Sequence, residues 1–289
     1  MRKLLIMLVA LLTLAGATTA ASESTADVTI NITPTGFQPE EVVIRPGDNV
    51  TWRNTDTKSH RIVSRTNAFP PSPMLRPGRS YSFRFGTPSA YSYESTTMLS
   101  KIGYVFVRGG RTTAFVGLSR LRLVYGNPVQ VFGMVDTTQP ETVTVTVTRY
   151  GGPQVTRTIT TDADGTFQFE DRPPIRTGYK VSWRNGESRR EPFVNVRPLV
   201  HFRVINLTRN RFFVRVRAQR SFAGKVVLIQ GQNRRGTWVT RKRVRLNSRN
   251  QALFRGRFAR GTTTARAFVP QSPGYAVGFS VIKLITKSR

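Results

Sequence analysis

Apolar and polar residues alternate with a period of two along nearly the whole chain after its first 21 positions. Val28-Thr29-Ile30-Asn31-Ile32, Thr142 to Thr148 (Thr-Val-Thr-Val-Thr-Val-Thr) and Phe212-Phe213-Val214-Arg215-Val216-Arg217 are the clearest runs. Successive side chains of a strand point to opposite faces, so each run predicts a strand with one buried side. Turn chemistry separates the runs: Arg45-Pro46-Gly47-Asp48, Tyr125-Gly126-Asn127-Pro128 and Asp162-Ala163-Asp164-Gly165. No segment beyond the N-terminus shows a helical period. Short strands at this spacing predict an all-β chain of stacked sandwiches.

The N-terminus follows a different pattern. Arg2 and Lys3 precede an almost uninterrupted apolar stretch from Leu4 to Ala17, followed by small residues through Ala21. This order predicts a secretory signal over 1–21, cleaved after Ala20 or Ala21, with an uncleaved anchor as the alternative. The expected location is therefore secreted or extracellular, with cell-wall association a further option. No Cys stands at the cleavage point, which excludes a lipid-anchored lipoprotein. No later segment reaches 18 consecutive apolar residues, so the remainder is expected to be soluble or peripherally attached.

Composition removes most chemistries. The chain has 289 residues, no Cys and two histidines, His60 and His201. Its length suits two or three domains. Without Cys there are no disulfides, no thiolate nucleophiles and no cysteine-held zinc or iron–sulfur clusters. No Gly-x-Ser-x-Gly, His-Glu-x-x-His or phosphate-loop motif occurs, so an enzyme is not expected. Asp162, Asp164 and Gly165 resemble the start of a calcium loop, but the extension ending in Glu is missing, and a turn is the expected reading.

Charge is distributed unevenly. The net +30 divides into +2 for the signal, +3 for residues 22–108, +3 for 109–191 and +22 for 192–289. The last segment holds 22 Lys and Arg and no acidic residue. Its basic positions recur in strand-like alternation: Arg215 and Arg217 about Val216, then Arg241, Arg243 and Arg245, then Arg255, Arg257 and Arg260 about Phe254 and Phe258. The arginine excess has two readings, genomic base composition or a selected anion-binding face. The second predicts an anionic envelope polymer or membrane surface as partner. No motif for specific nucleic-acid recognition appears, and His201, between Val200 and Phe202, is expected to be an ordinary strand residue.

Residues 25–108 carry a further set of landmarks. Phe37-Gln38-Pro39-Glu40-Glu41-Val42-Val43-Ile44 leads into Arg45-Pro46-Gly47-Asp48-Asn49-Val50-Thr51-Trp52-Arg53-Asn54, then Asp56 and, four residues on, His60. Leu75-Arg76-Pro77-Gly78, the Tyr81, Phe83 and Phe85 face, Tyr91-Ser92-Tyr93 and Ile102-Gly103-Tyr104-Val105-Phe106-Val107 follow. This order resembles the plastocyanin and amicyanin type of cupredoxin. The resemblance implies a Greek-key sandwich with copper held by an early His and by Cys, His and Met in a later loop. His60 matches the early His, while Ser95, Met98 and Lys101 stand at the other three positions. A blue-copper centre needs a thiolate beside two imidazoles, so this set implies no ordinary blue site. A weaker site from His60, Met98 and Glu94 is one reading, with copper as the metal that softer donors favour. In the other, His60 is a packed or hydrogen-bonded relic, Met98 fills the vacated pocket and Glu94 pairs with Lys101. Residues 117–197 and 198–289 resemble immunoglobulin-like β-sandwiches, the second divergent and basic. Together these features predict a non-enzymatic envelope-binding or structural protein, the alternative being a copper-binding cupredoxin with an altered site and an electron-transfer role.

Overall fold

The computed structural model describes residues 27–109, 114–184, 186–188, 190–258 and 261–287, so the expected signal over 1–21 lies outside the described residues. The chain is all-β. None of the described residues forms a helix long and apolar enough to cross a membrane.

The N-terminal unit is a sandwich of two four-stranded sheets. One has the order β2 (Gly36–Gln38), β1 (Asp27–Thr33), β4 (Asn49–Asn54), β6 (Ser80–Arg84). The other has the order β3 (Glu41–Ile44), β8 (Met98–Val107), β7 (Ser89–Ser95), β5 (Ile62–Ser64). β1 pairs β4 in parallel, and β3 pairs β8 in parallel. The alternation read from sequence is the alternation of burial. Ile30, Ile32, Val50 and Trp52 from the first sheet meet Ile44, Tyr93, Val105 and Val107 from the second. Pro46-Gly47 turns the chain between β3 and β4, with Gly47 at φ +100°, a conformation that a Cβ would strain. Trp52 is fully buried and packs face-on to Phe69 and Tyr81 and edge-on to Phe85 and Tyr93. Each such ring contributes roughly 1.5–3 kcal/mol through burial alone.

Two further sandwiches follow. The first packs the sheet β10 (Arg122–Val124), β17 (Phe193–Arg197), β15 (Thr177–Trp183), β12 (Thr142–Arg149), β13 (Gln154–Thr160) against β14 (Thr166–Asp171), β11 (Val129–Val135), β9 (Ala114–Leu118); the two-residue β16 (Gly186–Glu187) pairs with β15. Asp162 accepts from the Gly165 amide, and Asp164 Oδ1 accepts from Thr166, which closes a turn at this point. The last sandwich packs β18 (Leu199–Asn206), β19 (Arg211–Arg217), β22 (Gln251–Arg255) against β21 (Trp238–Arg245), β20 (Val226–Gln232), β23 (Gly261–Val269), β24 (Gly278–Phe279), with β25 (Lys283–Lys287) also on β23. Buried residues from Ala114 to Ile285 form one continuous cluster through both sandwiches.

The β3–β8–β7–β5 sheet is covered on both faces. Along β8, Val105 and Val107 face the first core, while Tyr104 and Phe106 face outward and meet Phe132 and Met134 of β11. Tyr104 and Phe132 lie 4.7 Å apart by ring centroid. The Arg65 guanidinium reaches across this seam to the Ser119 carbonyl, and Arg108 pairs with Asp136 at 2.9 Å.

One strand departs from the predicted alternation. β21 was expected to present Arg241, Arg243 and Arg245 on one face, but Thr240, Lys242 and their neighbours are exposed as well. β21 is an edge strand, and its register slips between Ile229 and Gln230, which leaves Arg241 unpaired and breaks the alternation at that point.

Candidate functional site

The loop after β4 sets the position of His60. Asn54 donates its amide hydrogens to the Lys58 and Leu75 carbonyls and accepts from the Asp56 backbone, holding the loop closed over four residues. His60 and Leu75 exchange backbone hydrogen bonds in an isolated antiparallel bridge. The imidazole is thereby placed against the end of β7, fully buried.

Both ring nitrogens are occupied. Nε2 lies 2.9 Å from Asp56 Oδ2. Nδ1 lies 2.9 Å from Ser95 Oγ and 2.7 Å from Thr97 Oγ1, and those two hydroxyls are 3.0 Å apart. Burial acts to raise the Asp56 carboxyl, but hydrogen bonds from His60 and from the Thr57 and Lys58 amides outweigh it and hold the group below its ordinary value. An ionised carboxylate only accepts, so Nε2 carries the proton, and in the neutral ring Nδ1 is the acceptor for a hydroxyl. The lone pair that a metal would need is therefore engaged in a hydrogen bond.

The three residues considered as metal donors have different surroundings. Ser95 and Tyr93 point into the core, and Glu94, between them on β7, points the opposite way. Glu94 is ion-paired with Arg65 on the side that faces β9 and β11. Among the described residues, the ion pair that Glu94 makes is with Arg65 and not with Lys101. Met98 is half-buried against the first core, and register pairs it with Ser95 across a turn at Thr96-Thr97. The register then jumps from Ser95 opposite Met98 to Glu94 opposite Ile102, which leaves Leu99, Ser100 and Lys101 as a bulge. The Lys101 side chain lies over Gly36, where a Cβ would stand 3.6 Å from Cδ. Among the described residues, no three His, Asp or Glu side chains converge as a metal site. Sequence reasoning missed Thr97. Its position in the turn two residues past Ser95 was the available signal.

The parallel β1–β4 and β3–β8 pairings, the aromatic core about Trp52 and the His on the loop before β5 define a cupredoxin-class domain. The amicyanin-alpha of Methylorubrum extorquens (strain AM1) is 36% identical to the chain over 87 residues, covering 28% of this chain and 73% of that protein. Through this domain the chain belongs to the amicyanin family. Solved structures align over the same part. A purple cupredoxin from Nitrosopumilus maritimus is 26% identical over 28% of this chain and 99% of that one, with a TM-score of 0.27. A reduced Cu(I) form of an amicyanin mutant at pH 4 is 23% identical over 30% and 88%, with a TM-score of 0.28. No family model matches the chain.

Proposed function

We propose that the protein is exported and non-enzymatic, and that it attaches to the anionic cell envelope through residues 192–289 while displaying a cupredoxin domain without a blue-copper centre. The observation that carries this reading is the segregation of charge: 22 Lys and Arg and no acidic residue in residues 192–289. Such a surface keeps a strongly positive potential unless anions neutralise it. Ser95, Met98 and Lys101 at the ligand positions, and the hydroxyls on His60 Nδ1, favour a structural role for the first domain. The immunoglobulin-like resemblance of the other sandwiches supports a display architecture. An open cleft of about 430 Å³ beside β12 and β15 is lined by Arg149, Tyr150, Arg176, Glu191 and Phe193 among others, with no Ser or His in its wall.

Retention of the full chain on isolated cell envelope tests the attachment. Retention should fall as salt rises, and reversal of several C-terminal arginines to Glu should abolish it. Equal retention of the reversed variant would overturn the reading. Equilibrium dialysis against copper tests the first domain. Stoichiometric binding that disappears in His60→Ala would replace this account with that of an altered copper protein.

A further inference from the structure

The β18–β19–β22 sheet has one face in the core and one in solvent. Val200, Phe202, Phe212, Val214, Val216 and Phe254 are buried on the inner side. The outer side carries His201 and Arg203 from β18, Arg211, Phe213, Arg215 and Arg217 from β19, and Leu253 and Arg255 from β22. Register sets Arg211 directly opposite Arg255, His201 opposite Arg215, and Arg203, Phe213 and Leu253 in a single row. Like charges placed opposite each other across strands destabilise a sheet. No carboxylate of the same segment offsets them, because residues 192–289 contain none. His201 senses the same field: burial lowers its pKa, and Arg203, Arg217 and Arg215 lower it further.

Aliphatic side chains accompany these arginines. Leu253 is 54% exposed in the middle of the row, and Ile205, the unpaired residue of the bulge between Val204 and Asn206 at the end of β18, is 52% exposed. A phosphate-bearing polymer would satisfy the guanidinium groups but has no apolar layer to receive Leu253, and a single-stranded nucleic acid offers base faces that stack on aromatic rings and do not take up an aliphatic side chain. A bilayer surface offers both, with phosphates at the headgroups and an apolar boundary just beneath them.

We infer that this face docks on an anionic lipid surface, with Arg203, Arg211, Arg215 and Arg255 on headgroup phosphates and Leu253 inserted between headgroups. The inference deepens the envelope-attachment reading and rests on it.

The test uses the full chain and sedimentation with phosphatidylcholine vesicles, with and without phosphatidylglycerol. Binding should require phosphatidylglycerol. R203Q, R215Q and R255Q together should lower the partition roughly 100-fold, at about fivefold per arginine near a charged surface. Leu253→Ser should weaken vesicle binding about tenfold and leave retention on immobilised polyphosphate unchanged. Leu253→Trp should show a blue-shifted emission with the anionic vesicles and none with polyphosphate. All of these positions face solvent, and an unchanged thermal transition checks that each variant folds. Full vesicle binding by Leu253→Ser, with unshifted emission from Leu253→Trp, would overturn the lipid inference and leave anion binding standing. Tighter retention on polyphosphate or single-stranded DNA than on vesicles, lost in the arginine variant, would also overturn it. Failure to bind any of these anions would overturn the attachment reading itself.

Discussion

Ser95 Oγ lies 2.9 Å from His60 Nδ1, so the residue that the sequence resemblance sets at the thiolate position holds the His60 imidazole through a hydrogen bond. Copper(II) added to the native chain is therefore expected to give no intense visible band, because no thiolate is present to transfer charge to it. Ser95→Cys with Met98→His would supply a thiolate and a second imidazole beside His60, the donor set of a blue site. The double variant is expected to develop the band with copper(II), read by visible absorption. Its absence would show that the Thr97 hydroxyl or the loop backbone, and not the choice of donors, excludes the metal.

Gly103 is placed where Tyr93 needs room. A Cβ at Gly103 would stand 2.2 Å from Tyr93 Cζ, and that ring is fixed by Phe37 at 4.8 Å and Trp52 at 5.2 Å. Gly103→Ala should cost about 1–3 kcal/mol, as overpacking in a closed core does. Gly86→Ala is the control, since nothing lies within 4 Å of a Cβ there. Urea denaturation should show a lowered midpoint for the first variant and almost no change for the second.

The strands of the first domain were legible because their landmarks are local. Alternation put Val50 and Trp52 on one face, and the proline-glycine turns marked the ends. The same period of two argued against Glu94: with Tyr93 and Ser95 inward, the residue between them must point outward. Its true partner could not be read, because Arg65 reaches Glu94 only through the pairing of β5 with β7. The covering of β8 by β11 was equally hidden. An alternating strand declares one buried face, whereas Ile102, Tyr104 and Phe106 fill the other face with apolar groups whose partners, Phe132 and Met134, lie far along the chain.

That seam should hold the first two sandwiches together. Phe132 packs against Tyr104 at 4.7 Å and Phe106 at 5.9 Å and is almost fully buried. Phe132→Ala should cost about 3–5 kcal/mol, the range for a buried aromatic truncated to Ala. Burial at the seam also pushes the Tyr104 phenol up to about 12. The variant should let that phenol titrate nearer its ordinary value. Absorbance at alkaline pH reads the phenol, and calorimetry should show the first sandwich unfolding separately from the others.

The seam also contains a carboxylate that opposes it. Glu41 of β3 is half-buried, and its pKa is raised by burial first, then by Asp164 and Asp162 of the neighbouring sandwich and by Glu40; a hydrogen bond with Thr166 acts the other way. A carboxyl whose folded value lies above its unfolded value favours the fold when protonated. Its contribution is fully present below the unfolded value of about 4.3 and is lost as pH rises through the folded value. Glu41→Gln, permanently neutral, should therefore raise the melting temperature by about one or two degrees near neutral pH. At about pH 4, where Glu41 in the native fold is already protonated, the gain should vanish. Calorimetry at the two pH values distinguishes this from packing, since a gain of equal size at both would mean that the amide improves contacts and that charge at Glu41 has no part in it.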